Sequence, residues 1–330
     1  VWGLKTCLVA YRRVWLYSQS VMRFVDAAEV RAATPWPALL DAITEMLGEP
    51  GLNAPERHVH PLNMADGSSA TLLLMPAWIK DGLIGVKTVS YFPSNAGTPT
   101  PTINAAYLLI DGSNGKMQAL LDGDELTDRR TAAVSALAAN YLARPDAERL
   151  LIVGTGRLAP NMARAHASVR PLTRIEIWGR RPTAAQAVVE QLCSEGFSAE
   201  AVNDLDTAVE SAHIISCVTG ATSPLVRGEL LAEGAHLDLV GSFSADMRES
   251  DDAAVLRASI FVDTWLGASL SGDLAQPLTD GIITPDLLSA DLQALTSGAH
   301  PGRRSESEIT LFKSAGFAAA DLAAARLALG

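Results

Sequence analysis

Leu150-Leu-Ile-Val-Gly154-Thr-Gly156-Arg157-Leu158-Ala159 is the stretch that decides the fold of this chain. Four consecutive apolar residues predict a strand buried on both faces. Gly154 and Gly156 then make a tight turn, and the following residues open a helix over about 157–169. At such a turn, backbone N–H groups and the positive end of the helix dipole hold a pyrophosphate. Ala159 stands where the dinucleotide fingerprint carries its third glycine, and its methyl still allows close helix packing. Gly154, Gly156, Arg157 and Leu158 are therefore expected at a dinucleotide cofactor.

The pattern continues downstream. Arg174-Ile-Glu-Ile-Trp178, His213-Ile-Ile-Ser-Cys-Val218, His236-Leu-Asp-Leu-Val-Gly241 and Ser259-Ile-Phe-Val-Asp263 read as further parallel strands, with a helix over 183–195 after the second strand. This alternation implies an α/β architecture with a doubly wound Rossmann sheet, placed here at 146–268. Upstream, a helix is expected over Trp36–Leu47, followed by a Pro/Gly break and strands at Thr71–Met75 and near Leu83–Val89. Thr127–Ala143 lacks Gly and Pro and stops before Pro145, which predicts one long helix. Beyond Leu270 the chain is punctuated by Gly and Pro and ends in an Ala-rich helix over 315–329.

The end of the second strand chooses the cofactor. NAD is usually read there by a carboxylate on the ribose 2′-hydroxyl, but Trp178-Gly-Arg180-Arg181-Pro-Thr183 has none. Guanidinium groups suit a 2′-phosphate, with Thr183 adding a hydroxyl, so NADPH is expected ahead of NADH. Thr219 follows the strand that begins near His213, and Gly241-Ser242 follow the one that begins at His236. These positions should border the nicotinamide, because open α/β sheets bind ligands at their carboxyl ends.

Composition removes other classes. The 330 residues are 48% hydrophobic and 19% charged, so enough apolar side chain exists to offset the entropy of ordering. A net charge of -11 argues against nucleic-acid or anionic-membrane partners, which need clustered Lys and Arg. No apolar run reaches the roughly 20 residues of a membrane span. Cys7, Cys193 and Cys217 form no C-x-x-C pair and are odd in number, which points to a reducing cytoplasm rather than disulfides or zinc. His58 and His60 share a face of a possible strand but have no third ligand, so no metal is expected. Residues 1–21 are interrupted by Lys5, Arg12 and Arg13, and Met22-Arg-Phe-Val-Asp reads like a natural start. They are expected to be a disordered or non-native extension.

Three motifs together resemble the ornithine cyclodeaminase/mu-crystallin family: Arg129-Arg130-Thr-Ala-Ala-Val-Ser-Ala-Leu-Ala-Ala-Asn-Tyr-Leu-Ala-Arg-Pro145, Gly154-Thr-Gly156, and Glu308-Ile-Thr-Leu-Phe-Lys313-Ser-Ala-Gly316. The resemblance covers nearly everything from Met22 onward. It implies that 22–145 and 269–330 build an α+β substrate and dimerisation domain, into which the Rossmann domain is inserted, and that the chain pairs as a homodimer. It also implies that Arg57, Lys87, Arg130 and Ala315 bind a substrate carboxylate, with Lys87 and Arg130 catalytic and Thr102 near the cofactor. Fixed cations suit the carboxylate of an amino or imino acid.

One departure separates members of the family. Its cyclodeaminases carry a proton-handling Asp two residues beyond the glycine matched by Gly241, where this chain has Phe243. A phenyl ring transfers no proton. Gly241-Ser242-Phe243-Ser-Ala-Asp246-Met-Arg-Glu249, followed by Phe261-Val-Asp263, is more similar to the family's reductases of cyclic ketimines. The expected activity is NADPH-dependent reduction of Δ1-pyrroline-2-carboxylate or Δ1-piperideine-2-carboxylate. Lys87, His58, His60 or a water on Ser242 could give the proton. The alternatives are ornithine or lysine cyclodeamination or amino-acid dehydrogenation with NAD, Asp246 substituting as base, and a low-turnover nucleotide-dependent binding protein.

Overall fold

The computed structural model describes residues 22–330, and the expectation for residues 1–21 lies outside them. The first layer is a seven-stranded sheet made from β1 (Arg23–Val25), β2 (Leu52–Asn53), β3 (His58–Asn63), β4 (Ser69–Ile79), β5 (Leu83–Tyr91), β6 (Ile103–Asp111) and β7 (Met117–Asp122). Its order is β1-β7-β6-β5-β4-β2, with β3 also paired to β4. Period-two alternation sends Met75 and Ala77 of β4, Lys87 of β5, and Tyr107 and Leu109 of β6 into the interior. Four helices account for that interior: α1 (Ala27–Ala33), α2 (Trp36–Leu47), α3 (Gly123–Leu142) and the C-terminal α11 (Ala318–Leu329). The last of these packs on α2 and crosses β4 and β5, so the first and last described segments meet in one layer.

The second layer is an eight-stranded parallel sheet: β8 (Arg149–Val153), β9 (Arg174–Trp178), β10 (Ala199–Val202), β11 (Ile214–Cys217), β12 (His236–Leu239), β13 (Ser259–Val262), β14 (Leu288–Asp291) and β15 (Thr310–Lys313). The order β10-β9-β8-β11-β12-β15-β13-β14 reverses direction between β8 and β11, the topological switch point of a doubly wound fold. Connecting and flanking helices are α4 (Leu158–Ala167), α5 (Pro182–Ser194), α6 (Leu205–Ser211), α7 (Asp252–Arg257), α8 (Trp265–Ser269), α9 (Gly272–Thr279) and α10 (Leu292–Thr296).

The strands expected from sequence form, but the boundary at 268 needs correction. β15 is inserted between β12 and β13, and β14 extends the edge beyond β13. Residues 288–291 and 310–313 thus belong to the parallel sheet rather than to the outer domain. The reason is burial: Leu311 and Phe312 are inaccessible and supply the apolar centre that links β12 to β13.

Helix α3 joins the two layers. Asp122 caps it by accepting from Glu125 N at 2.8 Å. Its buried face packs on α4, on β6, and on β12 and β15. Ser135 from this helix and Ser216 of β11 both donate to buried Asp238 on β12, at 3.0 and 2.7 Å, which pins the helix to the sheet.

Candidate active site

The nucleotide half of the site begins where β8 ends. Gly154 has φ +133, and a Cβ there would lie 2.7 Å from the Val218 carbonyl oxygen, so only glycine fits. At Gly156 a Cβ would meet nothing within 4 Å, leaving the backbone open toward the helix start. Helix α4 begins there with no side-chain cap on its first-turn N–H groups. An open glycine turn beside uncapped amide donors fits a pyrophosphate. Arg157, expected at the cofactor, stands at the start of this helix, and its guanidinium reaches α3: Nε and Nη2 bond Asp128 at 3.0 and 3.1 Å, and Nη1 lies 3.4 Å from Asp124. Arg180, Arg181 and Thr183 are exposed beyond β9.

Thr219, Gly241 and Ser242 meet at the carboxyl ends of β11 and β12, gathered by one carboxylate. Glu249 accepts from Thr219 N (2.7 Å), Thr219 Oγ1 (2.8 Å), Gly241 N (2.8 Å) and Ser242 N (3.3 Å). Burial, with Asp273 adding repulsion, raises its pKa to about 7. The Glu249 amide donates to Asp273 Oδ1 at 2.7 Å, and Lys313 Nζ donates to Asp273 Oδ2 at 3.0 Å.

The residues expected at the substrate lie on the inward face of β5 and the start of α3. Lys87 Nζ and Arg130 Nε both donate to Asp321 Oδ1 at 2.8 Å. All three side chains are buried, and Asp321 Oδ2, Arg130 Nη1 and the Tyr107 hydroxyl have no hydrogen-bond partner among the described residues. Polar atoms left so in a dry site are available to a ligand. Burial and then the Arg130 charge push Lys87 down to about 7, against the pull of Asp321. Arg57 Nη2 donates to the Ala315 and Gly316 carbonyls, at 2.5 and 2.9 Å. Its pKa is lowered by burial, which outweighs the attraction of Asp263.

The turn that carries those carbonyls is itself held. Asp263, at the end of β13, accepts from Ser314 Oγ (3.1 Å), Ala315 N (2.8 Å) and Gly316 N (2.6 Å). Gly316 has φ +80, and a Cβ there would come 2.7 Å from Arg130 Nη1. Arg57, Lys87, Arg130 and Ala315 are therefore brought together. Thr102 lies just before β6, half-buried, its carbonyl accepting from Phe92 N at 2.8 Å.

Other candidates fall elsewhere. His58 and His60 share a face of β3, their rings 6.4 Å apart, but both are exposed. Asp246 is exposed and accepts from Ser244 Oγ at 2.6 Å within its own turn. Phe243 stands edge-on to Tyr91 of β5 at 5.9 Å, so this ring touches the outer layer across the cleft. Among the described residues no group of three or more His, Cys, Asp or Glu could hold a metal, and no helix is long and apolar enough to cross a membrane.

Sequence reasoning missed Asp321, although a lone carboxylate inside Ala318-Ala-Ala-Asp321-Leu-Ala-Ala-Ala is a visible signal. It also left Glu249 and Asp263 as parts of a pattern, without a task.

Comparison with known proteins agrees with this geometry. The model of the ornithine cyclodeaminase/mu-crystallin family matches residues 23–329. A Δ1-pyrroline-2-carboxylate reductase of Paracoccus denitrificans is 37% identical, covering 92% of this chain and 95% of its own. Protein SAR DEFICIENT 4 of Arabidopsis thaliana is 40% identical over 80% of this chain and 84% of its own. A solved structure of Thermococcus litoralis Δ1-pyrroline-2-carboxylate reductase with NADH and L-proline superposes with a TM-score of 0.88 at 29% identity, covering 93% of this chain and 96% of that one. Matched by the family model over nearly all of its described residues and 37% identical to a reductase over 92% of its length, the chain belongs to the ornithine cyclodeaminase/mu-crystallin family.

Proposed function

We propose that this chain uses NADPH to reduce Δ1-pyrroline-2-carboxylate and Δ1-piperideine-2-carboxylate to L-proline and L-pipecolate. It is an NAD(P)H-dependent imine oxidoreductase that binds a nicotinamide dinucleotide. The observation that carries the finer reading is the cation cluster in which Lys87 and Arg130 share buried Asp321 and Arg57 is held beside them by the Ala315 and Gly316 carbonyls. The unpartnered Arg130 Nη1 binds the substrate carboxylate, with Arg57 beside it on the Gly316 turn. That anchorage orients the ring C=N and removes rotational freedom before reaction. Lys87 holds the proton that the imine nitrogen takes up. The reduced nicotinamide, when bound, supplies the hydride.

Cyclodeamination fits less well. Phe243 packs on Tyr91 where a base would be needed, and Asp246 is tied to Ser244 in its own exposed turn. A low-turnover binder is separated from an enzyme by steady-state NADPH consumption. Cys193 and Cys217 are free thiols, which suits a reducing cytoplasm.

We read the chain as a homodimer through the outer sheet. Its face away from the helices carries Pro76, Val86 and Leu108 in one cross-strand row and Trp78, Ile84 and Ile110 in the next. Trp78 is 37% exposed. Val86→Asp should return a monomer in sedimentation velocity, and an unchanged dimer would exclude this face.

The activity is tested by following absorbance of the reduced nicotinamide with both imino acids. Charge-assisted contacts from Arg180 and Arg181 to the 2′-phosphate, at about 1.5–3 kcal/mol, favour NADPH roughly tenfold or more. Arg180→Asp should shrink or invert that preference, and no ammonia should appear from L-ornithine with NAD. Lys87 is charged below about pH 7 in the free protein, so kcat/KM should fall as pH rises through that value. Equal kcat/KM with NADPH and NADH would end the cofactor claim, and ammonia release at comparable rates would end the reductase claim.

A further inference from the structure

Glu249 lies outside the cation cluster, and it gathers four donors from the segments read as bordering the cofactor. Its two oxygens accept four hydrogen bonds, Oε1 from the Thr219 amide and hydroxyl and Oε2 from the Gly241 and Ser242 amides. These segments leave adjacent strands at the carboxyl end of the sheet, where the first is the continuation of β11 and the second of β12. They are packed at closest approach: a Cβ on Gly241 would lie 2.1 Å from the Thr219 carbonyl oxygen. Backbone N–H groups cannot satisfy one another, so the contact needs an acceptor between them.

The side chain that provides it is fully buried, as are Asp273 and Lys313. Asp273 bonds the Glu249 amide through one oxygen and Lys313 through the other, fixing where the Glu249 backbone sits. A carboxylate is the side chain that can accept from all four donors, being acceptor-only when ionised.

We propose that Glu249 is the positioning residue for the nicotinamide ring, holding the Thr219 and Gly241-Ser242 segments as one rigid seat. This rests on the reading that those segments border the ring. Glu249 touches neither ring nor imine; it acts through the two strand ends. Glu249→Gln keeps the volume but turns an NH2 group toward one pair of donors, so one of the two segments loses its partner.

The test separates the ring from the rest of the cofactor. Full-length wild type and Glu249→Gln are titrated calorimetrically with the reduced dinucleotide and with the matching ADP-ribose or 2′-phospho-ADP-ribose, which lacks only nicotinamide. The variant should bind the dinucleotide about tenfold more weakly, the loss of one charge-assisted bond, while the ringless fragment stays within about twofold. At saturating cofactor, kcat should fall and KM for the imino acid should hold. Unchanged affinity for both ligands, or an equal loss for both, overturns the proposal. If Glu249→Gln does not fold, Thr219→Val removes the hydroxyl that donates to Glu249 and accepts from Ala221 N, and it should give the same asymmetry at about threefold, with symmetric binding again decisive against it. A wild type that binds cofactor but reduces no cyclic imine would defeat the substrate reading alone.

Discussion

Arg130→Ala is expected to lower kcat/KM for the cyclic imino acid by two to three orders of magnitude while leaving NADPH affinity close to wild type. The guanidinium is buried, with Nε fixed by Asp321 at 2.8 Å and Nη1 left without a partner over Gly316. A ligand carboxylate that completes this arrangement is desolvated with it. Truncating one partner of such a pair costs about 2–5 kcal/mol, a range of roughly 30- to 5,000-fold that brackets the stated loss in rate. Arg130→Lys should recover little, since an ammonium on a flexible stem lacks the planar fork that reaches Asp321 and substrate together. Steady-state kinetics beside a cofactor titration measures both halves of the claim. Near-normal kcat/KM in the alanine variant would remove Arg130 from the site.

Asp321→Ala should damage the fold itself. Lys87 and Arg130 are drawn from β5 and α3 to a single carboxylate on α11, and all three are buried. Without the carboxylate Lys87 loses the pull that holds it up to about 7 and becomes a buried amine without a partner, and Arg130 is left as a buried cation without its counter-ion. Leaving buried charge uncompensated costs about 3–5 kcal/mol. The melting midpoint should drop well below that of wild type, and the loss should ease in the double variant Asp321→Ala/Lys87→Met, which removes the stranded amine. A single variant that melts with wild type would show that water or rearrangement compensates the pair.

Local pattern made much of this legible. The apolar run before Gly154, the Gly-x-Gly turn and the Trp36–Leu47 helix are written in neighbouring residues, and the structure places them as read. Arg57, Lys87, Arg130 and Ala315 came from motif resemblance, and they do converge. What stayed hidden depends on residues far apart in sequence. Asp321 meets Lys87 and Arg130 across 234 and 191 positions, a distance over which periodicity carries no information. The strand β15 was hidden for a related reason. Thr310-Leu-Phe-Lys313 is too short to declare itself, and only the gap between β12 and β13 makes it a central strand. Arg157 was expected at the cofactor, and the pairing of its guanidinium with Asp128 on the facing helix, 29 positions away, was not legible in the motif.

That same pair has a geometrical consequence. Asp128 receives Arg157 from the nucleotide turn, and Arg130, two residues on, reaches the substrate cluster. At 1.5 Å of rise per residue, the two attachment points are about 3 Å apart along one helix. The spacing between the glycine turn and the Lys87–Asp321–Arg130 cluster is thus ruled off on a single rod, so it is insensitive to the lengths of the loops that join the layers. Phase along that rod is what matters. One residue inserted between Asp128 and Arg130 would turn the guanidinium by about 100° away from Asp321, although every loop, strand and glycine turn stayed where it was.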